Sequence, residues 1–237
     1  MSAARFAVEA VLFDLDGTLV DSLPDIHESA RRMLVEVGRS PRDIDEIRRF
    51  VGRGVPTLVE RCLTEGASAS RDEIDAAIGV FRRHYAVVNG EYSRVYPGVL
   101  ETLQTMRARG LKLACVTNKP EVFTLPLLDR TGLASYFDLV VSGDTLPVKK
   151  PDPAMLHHAC ERLGTGRALM IGDSANDALA ARAAGVPVLL VTYGYSEGMP
   201  VDTIECDGLL SDTREALPLL AEGVAPSTDQ SFRTSSS

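Results

Sequence analysis

The stretch VEAVLFDLDGTLV, residues 8–20, decides the fold of this 237-residue chain. Its first part, Val8–Leu15, is a short apolar run that predicts a buried β-strand. Asp14 and Asp16 end the run, and because alternate residues of a strand point to the same side, we expect both carboxylates on one side of the strand end. Two like charges there repel each other and lose hydration, which favours a bound Mg²⁺ with carboxylate ligands. A turn with two solvated aspartates is the alternative for these residues alone.

Short apolar runs recur further along the chain and alternate with helical patterns. The runs are Leu111–Val116, Leu139–Val141, Ala168–Ile171 and Val186–Val191. The helical patterns are Gly98–Arg109, Glu121–Arg130, Pro153–Leu163 and Ala175–Ala184. Short buried strands that alternate with helices predict a parallel sheet covered on both faces. The predicted fold class is therefore α/β, with a doubly wound, mostly parallel, Rossmann-like sheet.

The segment after the first strand has a different pattern. It contains helical stretches and no convincing strand: Ile26–Val37, Arg42–Val51, Val55–Leu63 and Arg71–Val88. An insertion at this point lies over the carboxyl ends of the strands, where open α/β sheets bind ligands. We therefore predict a catalytic core (residues 1–20 and 94–222), an inserted all-α cap (residues 21–93) and a disordered polar tail (residues 223–237).

Polar residues follow three further predicted strands. They are Thr117, Asn118, Lys150, Asp173 and Asp177. Hydroxyl and amide groups bind phosphate oxygens, a lysine neutralises a phosphoryl group, and a carboxylate coordinates a metal. Taken singly, each residue has a simpler explanation. Thr117 or Asn118 can be a helix cap, Lys150 a solvated surface lysine, and Asp177 an acid in the first turn of a helix. Taken together at one edge of a sheet, they predict a site for a phosphorylated ligand and a metal ion.

Composition excludes several classes of protein. The formal net charge is -8, which argues against nucleic acid as a partner because such partners require a basic surface. No run of apolar residues is long enough to span a membrane, and the start of the chain has no secretory signal pattern. The four cysteines form no CxxC pair, which suits a reducing compartment. We expect a cytoplasmic protein.

The strings DLDGTLV, VTNK, KKPDP and GDSANDALAA resemble the four motifs of the haloacid dehalogenase-like superfamily. The resemblance covers roughly residues 11–210, and the helical insertion is similar to that family's C1-type, four-helix cap. Within the superfamily, Gly143–Pro153 (GDTLPVKKPDP) and Val191–Tyr195 (VTYGY) are most similar to the phosphoglycolate phosphatases.

This resemblance implies a role for each site residue. It makes Asp14 the nucleophile that becomes an aspartyl-phosphate and Asp16 the general acid and base. It assigns Mg²⁺ to the Asp14 carboxylate, the Asp16 backbone carbonyl and Asp173. Phosphoryl binding falls to Thr117 and to Lys150, which is also counted among the catalytic residues; Asn118 stays a phosphate-binding candidate from its place near the start of the next helix. Asp177 is a supporting residue, either as a ligand or as a group that orients Lys150 or a metal-bound water. An aspartate at position 16 disfavours dehalogenation.

The predicted cap carries the choice of substrate. The stretch VGRGVPT, residues 51–57, resembles the family's specificity loop, and Arg53 is a candidate for binding a substrate carboxylate because guanidinium suits planar anions. A solvated linker arginine is the equal alternative. The expected partner is a small phosphorylated metabolite, with 2-phosphoglycolate as the leading substrate and the protein a monomer or homodimer. Pyrophosphatase, sugar-phosphate phosphatase and phosphosugar mutase activities are the enzymatic rivals, and a phosphate-dependent binding module is the rival of another class.

Overall fold

A six-stranded parallel sheet forms the centre of the computed structural model, which describes residues 6–221 except 65 and 67. Its strands are β1 (Ala10–Phe13), β4 (Lys112–Val116), β5 (Leu139–Val141), β6 (Ala168–Gly172), β7 (Val188–Val191) and β8 (Gly208–Leu210). Their order is β5-β4-β1-β6-β7-β8, so β1 lies inside the sheet between β4 and β6. This arrangement confirms the predicted fold class, a doubly wound and mostly parallel α/β sheet.

Alternate residues of β1 face two different helical layers. Val11 and Phe13 pack into one buried cluster, and Ala10 and Leu12 into another on the opposite face of the sheet. The first cluster includes residues of α5 (Val99–Ala108) and α6 (Glu121–Arg130), and the second includes residues of α7 (Ala154–Leu163) and α8 (Ala175–Ala184). Both faces are thus buried, and this explains why the strands read as continuous apolar runs.

Four helices lie between β1 and the rest of the core. They are α1 (Leu23–Glu36), α2 (Ile44–Arg48), α3 (Val55–Thr64) and α4 (Arg71–Val88). They share a third buried cluster of their own, which also includes Phe123 and Tyr195 from the core. The helical pattern of this segment is as predicted, although α2 is shorter than the stretch Arg42–Val51. The division into a core and a cap at residues 21–93 stays a prediction, and we use "cap" below for that segment.

The chain enters and leaves the cap at adjacent points. The short strand β2 (Val20–Asp21) pairs antiparallel with β3 (Arg94–Val95), a ribbon that the sequence does not predict. Asp25, which is fully buried in the first turn of α1, accepts hydrogen bonds from the backbone N–H groups of Gly90 at 2.7 Å and Tyr92 at 2.8 Å. This carboxylate therefore ties the beginning of the cap to its end.

Two further predictions concern the tail of the chain and membrane-spanning segments. The tail at residues 223–237 is not described. None of the described helices is long and apolar enough to cross a membrane.

Candidate active site

The predicted site residues converge on one cleft at the carboxyl edge of the sheet. Asp14 follows β1, Thr117 follows β4, Asp173 follows β6, and Lys150 precedes α7. All four line a cleft of about 680 Å³, partly open to solvent, whose other wall is formed by cap residues of α1, α3 and α4. The parallel arrangement of the strands causes this convergence, because their carboxyl ends meet at one edge.

Lys150 is the central cation of the cleft. Its side chain is 2% exposed, and its ammonium donates to Asp14 Oδ1 at 2.8 Å and to Asp177 Oδ1 at 2.6 Å. It donates a third hydrogen bond to the Val116 carbonyl at 2.6 Å. Burial alone would lower the pKa of Lys150, but the two carboxylates raise it above its ordinary value. The lysine is therefore a fixed positive charge beside Asp14.

Asn118 holds the loop that carries Lys150. Its side-chain oxygen accepts from the Lys150 N–H at 2.9 Å, and its amide nitrogen donates to the Lys150 carbonyl at 2.9 Å. The same nitrogen lies 3.0 Å from the carbonyl of Gly52 in the cap. The amide expected to meet phosphate is thus occupied by backbone groups, which gives Asn118 a positioning role in this structure.

Three buried carboxylates lie together beside Lys150. Asp14, Asp173 and Asp177 offer oxygen atoms within 4.8 Å of one another. Burial raises the pKa of Asp14 to about 7, with Lys150 opposing the shift and Asp177 adding to it. Burial also raises the pKa of Asp173 well above its ordinary value, and its two carboxylate neighbours act in the same direction. One lysine does not neutralise three carboxylates, so the cluster fits an additional cation with oxygen ligands such as Mg²⁺.

Asp177 combines two predicted roles. Its Oδ2 accepts from the Ser174 N–H at 3.1 Å and from Ser174 Oγ at 2.9 Å, which closes a capping box at the start of α8. Its other oxygen receives the hydrogen bond from Lys150. The first-turn acid of the helix is therefore also the group that orients the central lysine.

Asp173 is held in place by the loop after β7. Its Oδ2 accepts from the Tyr195 N–H at 2.7 Å, while Thr18 Oγ1 approaches its Oδ1 at 3.4 Å. Gly17 has a φ of 90°, and a Cβ at this position would lie 2.5 Å from Asp173 Oδ2. The turn after β1 and the metal-ligand candidate on β6 come this close because residue 17 has no side chain.

The Asp16 side chain has partners outside the carboxylate cluster. Its Oδ1 accepts from Ser22 Oγ at 2.5 Å, and its two oxygens lie 3.0 and 3.1 Å from the Lys119 ammonium. Lys119 also contacts the hydroxyl of Tyr85 on α4. The predicted contact of Asp16 with the metal is through its backbone carbonyl, and it stays a prediction.

Thr117 occupies the predicted place at the end of β4. It is buried, its N–H donates to the Val141 carbonyl at 2.9 Å, and its Oγ1 accepts from the Lys119 N–H at 3.3 Å. Thr117 lines the cleft, and its hydroxyl can donate a hydrogen bond as well as accept one.

Arg53 lies at the rim of the cleft. Its side chain is 57% exposed, and its Nε is 2.9 Å from an oxygen of Glu197, whose side chain is 6% exposed. Arg53 itself is not among the described residues that line the cleft, although its neighbours Gly52 and Gly54 are. In this structure the arginine joins the cap to the core loop after β7.

Sequence reasoning did not single out four residues of this site. They are Tyr85, Lys119, Tyr195 and Glu197. Tyr195 Oη accepts from the Ser22 and Leu23 N–H groups at 2.8 and 2.9 Å, so a core residue fixes the entry into the cap. Lys119 and Tyr195 stand inside the strings VTNK and VTYGY, but nothing in those strings tells which side chain reaches another element.

The chain is similar to known proteins over most of its length. The chain is 46% identical over 220 residues to a phosphoglycolate phosphatase of Thiobacillus denitrificans. The matched region covers 91% of this chain and 97% of that protein. A plasmid-encoded phosphoglycolate phosphatase of Cupriavidus necator is 46% identical over 222 residues, 93% of this chain and 96% of that one. A crystal structure described as a predicted phosphoglycolate phosphatase from Haemophilus somnus has a TM-score of 0.84 and 33% identity, with 89% of this chain and 96% of that chain covered. The model of the haloacid dehalogenase-like hydrolases matches residues 8–185, and the chain belongs to this family.

Proposed function

We propose that this protein hydrolyses 2-phosphoglycolate to glycolate and phosphate, with Mg²⁺ as cofactor and an aspartyl-phosphate on Asp14 as intermediate. One observation carries the proposal: Asp14 and its Lys150 partner lie beside Asp173 and Asp177 in a buried cluster, while Asp16 stands separately at the same strand end. This arrangement supplies a nucleophile, a cation and a distinct acid and base. The phosphoglycolate phosphatases at 46% identity support the substrate.

Two displacements at phosphorus make up the proposed reaction. In the first, an oxygen of Asp14 attacks phosphorus, the ester P–O bond breaks, and Asp16 gives its proton to the departing glycolate oxygen. In the second, Asp16 takes a proton from water, the water oxygen attacks phosphorus, and the bond to Asp14 breaks. The covalent step divides one difficult displacement into two easier ones.

The surrounding residues orient the phosphoryl group and balance its charge. Lys150 keeps one oxygen of Asp14 in place at 2.8 Å and faces the negative charge of the phosphoryl oxygens. The buried Thr117 hydroxyl is the proposed hydrogen-bond donor to the same group. Asp177 and Asn118 keep the lysine and its loop in position, so both act through Lys150.

Mg²⁺ is proposed to bind to Asp14, to Asp173 and to the backbone carbonyl of Asp16. The raised pKa values of Asp14 and Asp173 support a cation there, because burial and mutual repulsion disfavour their charged forms. When bound, the ion supplies positive charge that draws phosphate into an otherwise acidic cleft and stabilises the transferring group.

The cap is proposed to exclude water from the cleft while the phosphoryl group is transferred. The contacts of Asn118 with the Gly52 carbonyl and of Arg53 with Glu197 support such closure, because both join the cap to the core at the rim. The proposal includes a small phosphorylated metabolite as the partner, a cytoplasmic location and a monomeric or homodimeric protein.

A panel of phosphate esters tests the proposal. Purified protein is assayed for phosphate release with 2-phosphoglycolate, sugar phosphates and pyrophosphate, each with Mg²⁺ and with EDTA. We expect the highest kcat/KM for 2-phosphoglycolate, activity that depends on Mg²⁺, and no turnover by Asp14→Asn. A higher kcat/KM for another ester would replace the substrate, and unchanged turnover by Asp14→Asn would refute the nucleophile.

A further inference from the structure

The cleft contains a second buried cation besides Lys150. Among its described lining residues, Lys119 and Lys150 are the cationic side chains. The ammonium of Lys150 already uses its three donors on Asp14, Asp177 and the Val116 carbonyl. The ammonium of Lys119 instead faces Asp16 and a tyrosine of the cap. The reaction proposed above gives Lys119 no task.

The core fixes Lys119 at the end of β4. Its N–H donates to Thr117 Oγ1 at 3.3 Å, and its carbonyl accepts from the Gly143 N–H at 2.8 Å and from Thr124 Oγ1 at 3.1 Å. The side chain is 4% exposed. The ammonium is therefore held at a defined place inside the cleft, whereas the Arg53 side chain is mostly exposed at the rim.

A cap residue completes the surroundings of this ammonium. Tyr85 is buried on α4, its hydroxyl contacts Lys119 Nζ, and its ring centroid lies 4.6 Å from that nitrogen. The ring is packed edge-on against Phe123, with centroids 4.9 Å apart, and stacked on Phe81 at 5.5 Å. The tyrosine hydroxyl can donate as well as accept, so core and cap together present an ammonium and a phenol at one point.

This pair lies on the leaving-group side of the proposed reaction. Asp16 gives its proton to the departing oxygen, and Lys119 lies 3.0 and 3.1 Å from the oxygens of Asp16. The phosphoryl side is occupied by Asp14 and Lys150. A leaving group that carries a carboxylate close to its ester oxygen brings that carboxylate next to the Lys119 ammonium.

We propose that Lys119 and Tyr85 bind the carboxylate of the substrate and so select phosphate esters of small hydroxy acids over those of neutral alcohols. This inference rests on the proposed function. In the free protein the Lys119 ammonium donates its hydrogen bonds to the Asp16 carboxylate. A substrate carboxylate takes over these hydrogen bonds, and Asp16, freed from the ammonium, takes up a proton from solvent and donates it to the ester oxygen. The replacement of the Asp16 carboxylate by the substrate carboxylate on Lys119 thus both recognises the substrate and frees Asp16 to act as the acid.

The test compares two esters on matched variants. Kinetics are measured for 2-phosphoglycolate and for 2-hydroxyethyl phosphate, which has a neutral hydroxyl in place of the carboxylate, on the wild type, Lys119→Met, Lys119→Arg and Tyr85→Phe. The readout is the ratio of kcat/KM for the two esters, because any damage to Asp16 affects both esters and cancels in the ratio. Lys112→Met is the control, since it is the same change at the opposite end of β4.

We expect Lys119→Met to lower the ratio by roughly 10- to 150-fold, as the loss of a charge-assisted hydrogen bond implies, mostly through KM for 2-phosphoglycolate. Lys119→Arg should recover part of the ratio, Tyr85→Phe should lower it by less, and Lys112→Met should leave it unchanged. Circular dichroism checks that each variant is folded. If Lys119→Met does not fold, Tyr85→Phe decides, since it removes a single hydroxyl group.

Three negative outcomes are distinct, the third of which uses Arg53→Ala as an added variant. A wild type that prefers 2-phosphoglycolate, with variants that lose activity on both esters equally, overturns the carboxylate site and leaves the proposed function standing. A wild type with no preference for 2-phosphoglycolate overturns both. A selective loss in Arg53→Ala without one in Lys119→Met assigns the carboxylate to the rim instead.

Discussion

Replacing Asp14 with asparagine is predicted to stabilise the metal-free protein while it abolishes turnover. The Asp14 carboxyl is buried, and its pKa rises from 3.8 to about 7, chiefly through loss of hydration. A shift of about three units corresponds to about 4 kcal/mol of free energy that disfavours the ionised form. Asparagine resembles the protonated aspartic acid in shape and charge. We therefore expect the free energy of unfolding to increase by about 2 to 4 kcal/mol at pH 8.

The sign of the effect depends on pH. The unfolded chain loses this proton near the ordinary pKa of 3.8, and the folded chain only near pH 7. Ionisation of Asp14 therefore destabilises the fold progressively as the pH rises from about 4 to about 7, and fully above about 7. The advantage of Asp14→Asn is then largest at pH 8, smaller at pH 5 and absent below about pH 4.

Urea denaturation followed by circular dichroism measures this difference. Wild type and variant are compared in EDTA at pH 5 and pH 8, and again at pH 8 with Mg²⁺. Mg²⁺ should reverse the order of stability, because it binds the wild-type carboxylate cluster better. Asp129→Asn, an exposed position on α6, is the matched control and should change little at either pH. A variant less stable than the wild type at pH 8 in EDTA, or an equal gain at both pH values, would refute the electrostatic reasoning.

Four further predictions concern single residues. Saturating Mg²⁺ should stabilise the wild type by about 2.7 kcal/mol at one hundred times its Kd, and thermal unfolding of Asp173→Asn should show little of this gain. Asp16→Ala should lower kcat by about 10²- to 10⁴-fold in a phosphate-release assay, as loss of a general acid and base implies; an unchanged kcat would remove Asp16 from the mechanism. Asp25→Ala leaves the N–H and the hydroxyl of the buried Ser93 without an acceptor, as well as the N–H groups of Gly90 and Tyr92, and should lower the free energy of unfolding in urea by about 3 to 5 kcal/mol. Glu197→Gln should lower it by less than about 1 kcal/mol, because its partner Arg53 is exposed and the glutamine amide oxygen can still accept from Asn176; a larger loss would show that the Arg53 contact matters more than its exposure implies.

The fold was predictable where the pattern is long or strongly apolar. Helices α4, α6 and α8 begin and end at the predicted residues, because a cap, proline or glycine residue marks the ends of each, even though Pro126 interrupts the pattern of α6. The ribbon of β2 and β3 was missed, since two-residue strands are too short to show an alternating pattern. Strand β8 was missed for a similar reason: it has three residues, of which Leu210 is the buried one.

The candidate site was predictable to the extent that it lies at strand ends. Asp14, Thr117 and Asp173 were found because the topology of a parallel sheet brings its carboxyl ends together. Contacts between cap and core were not predictable, since no sequence spacing relates Tyr85 to Lys119. Glu197 was hidden for another reason: it and Ser196 have left-handed backbones although neither is glycine, with φ of 52° at Glu197 itself.

The ribbon of β2 and β3 also has a consequence for how the chain folds. Strand β1 must pair with β4, and the whole cap lies between them in sequence. A long flexible segment there would add loop-closure entropy to this pairing. Val20–Asp21 pairs with Arg94–Val95, and Asp25 binds the far end of the cap. Once these contacts have formed, the connection from β1 to β4 consists only of the segment between β1 and β2 and the segment between β3 and β4. The cap then no longer adds its full length to the loop that closes when β1 pairs with β4. We therefore expect that the length of the cap can change with little effect on assembly of the sheet.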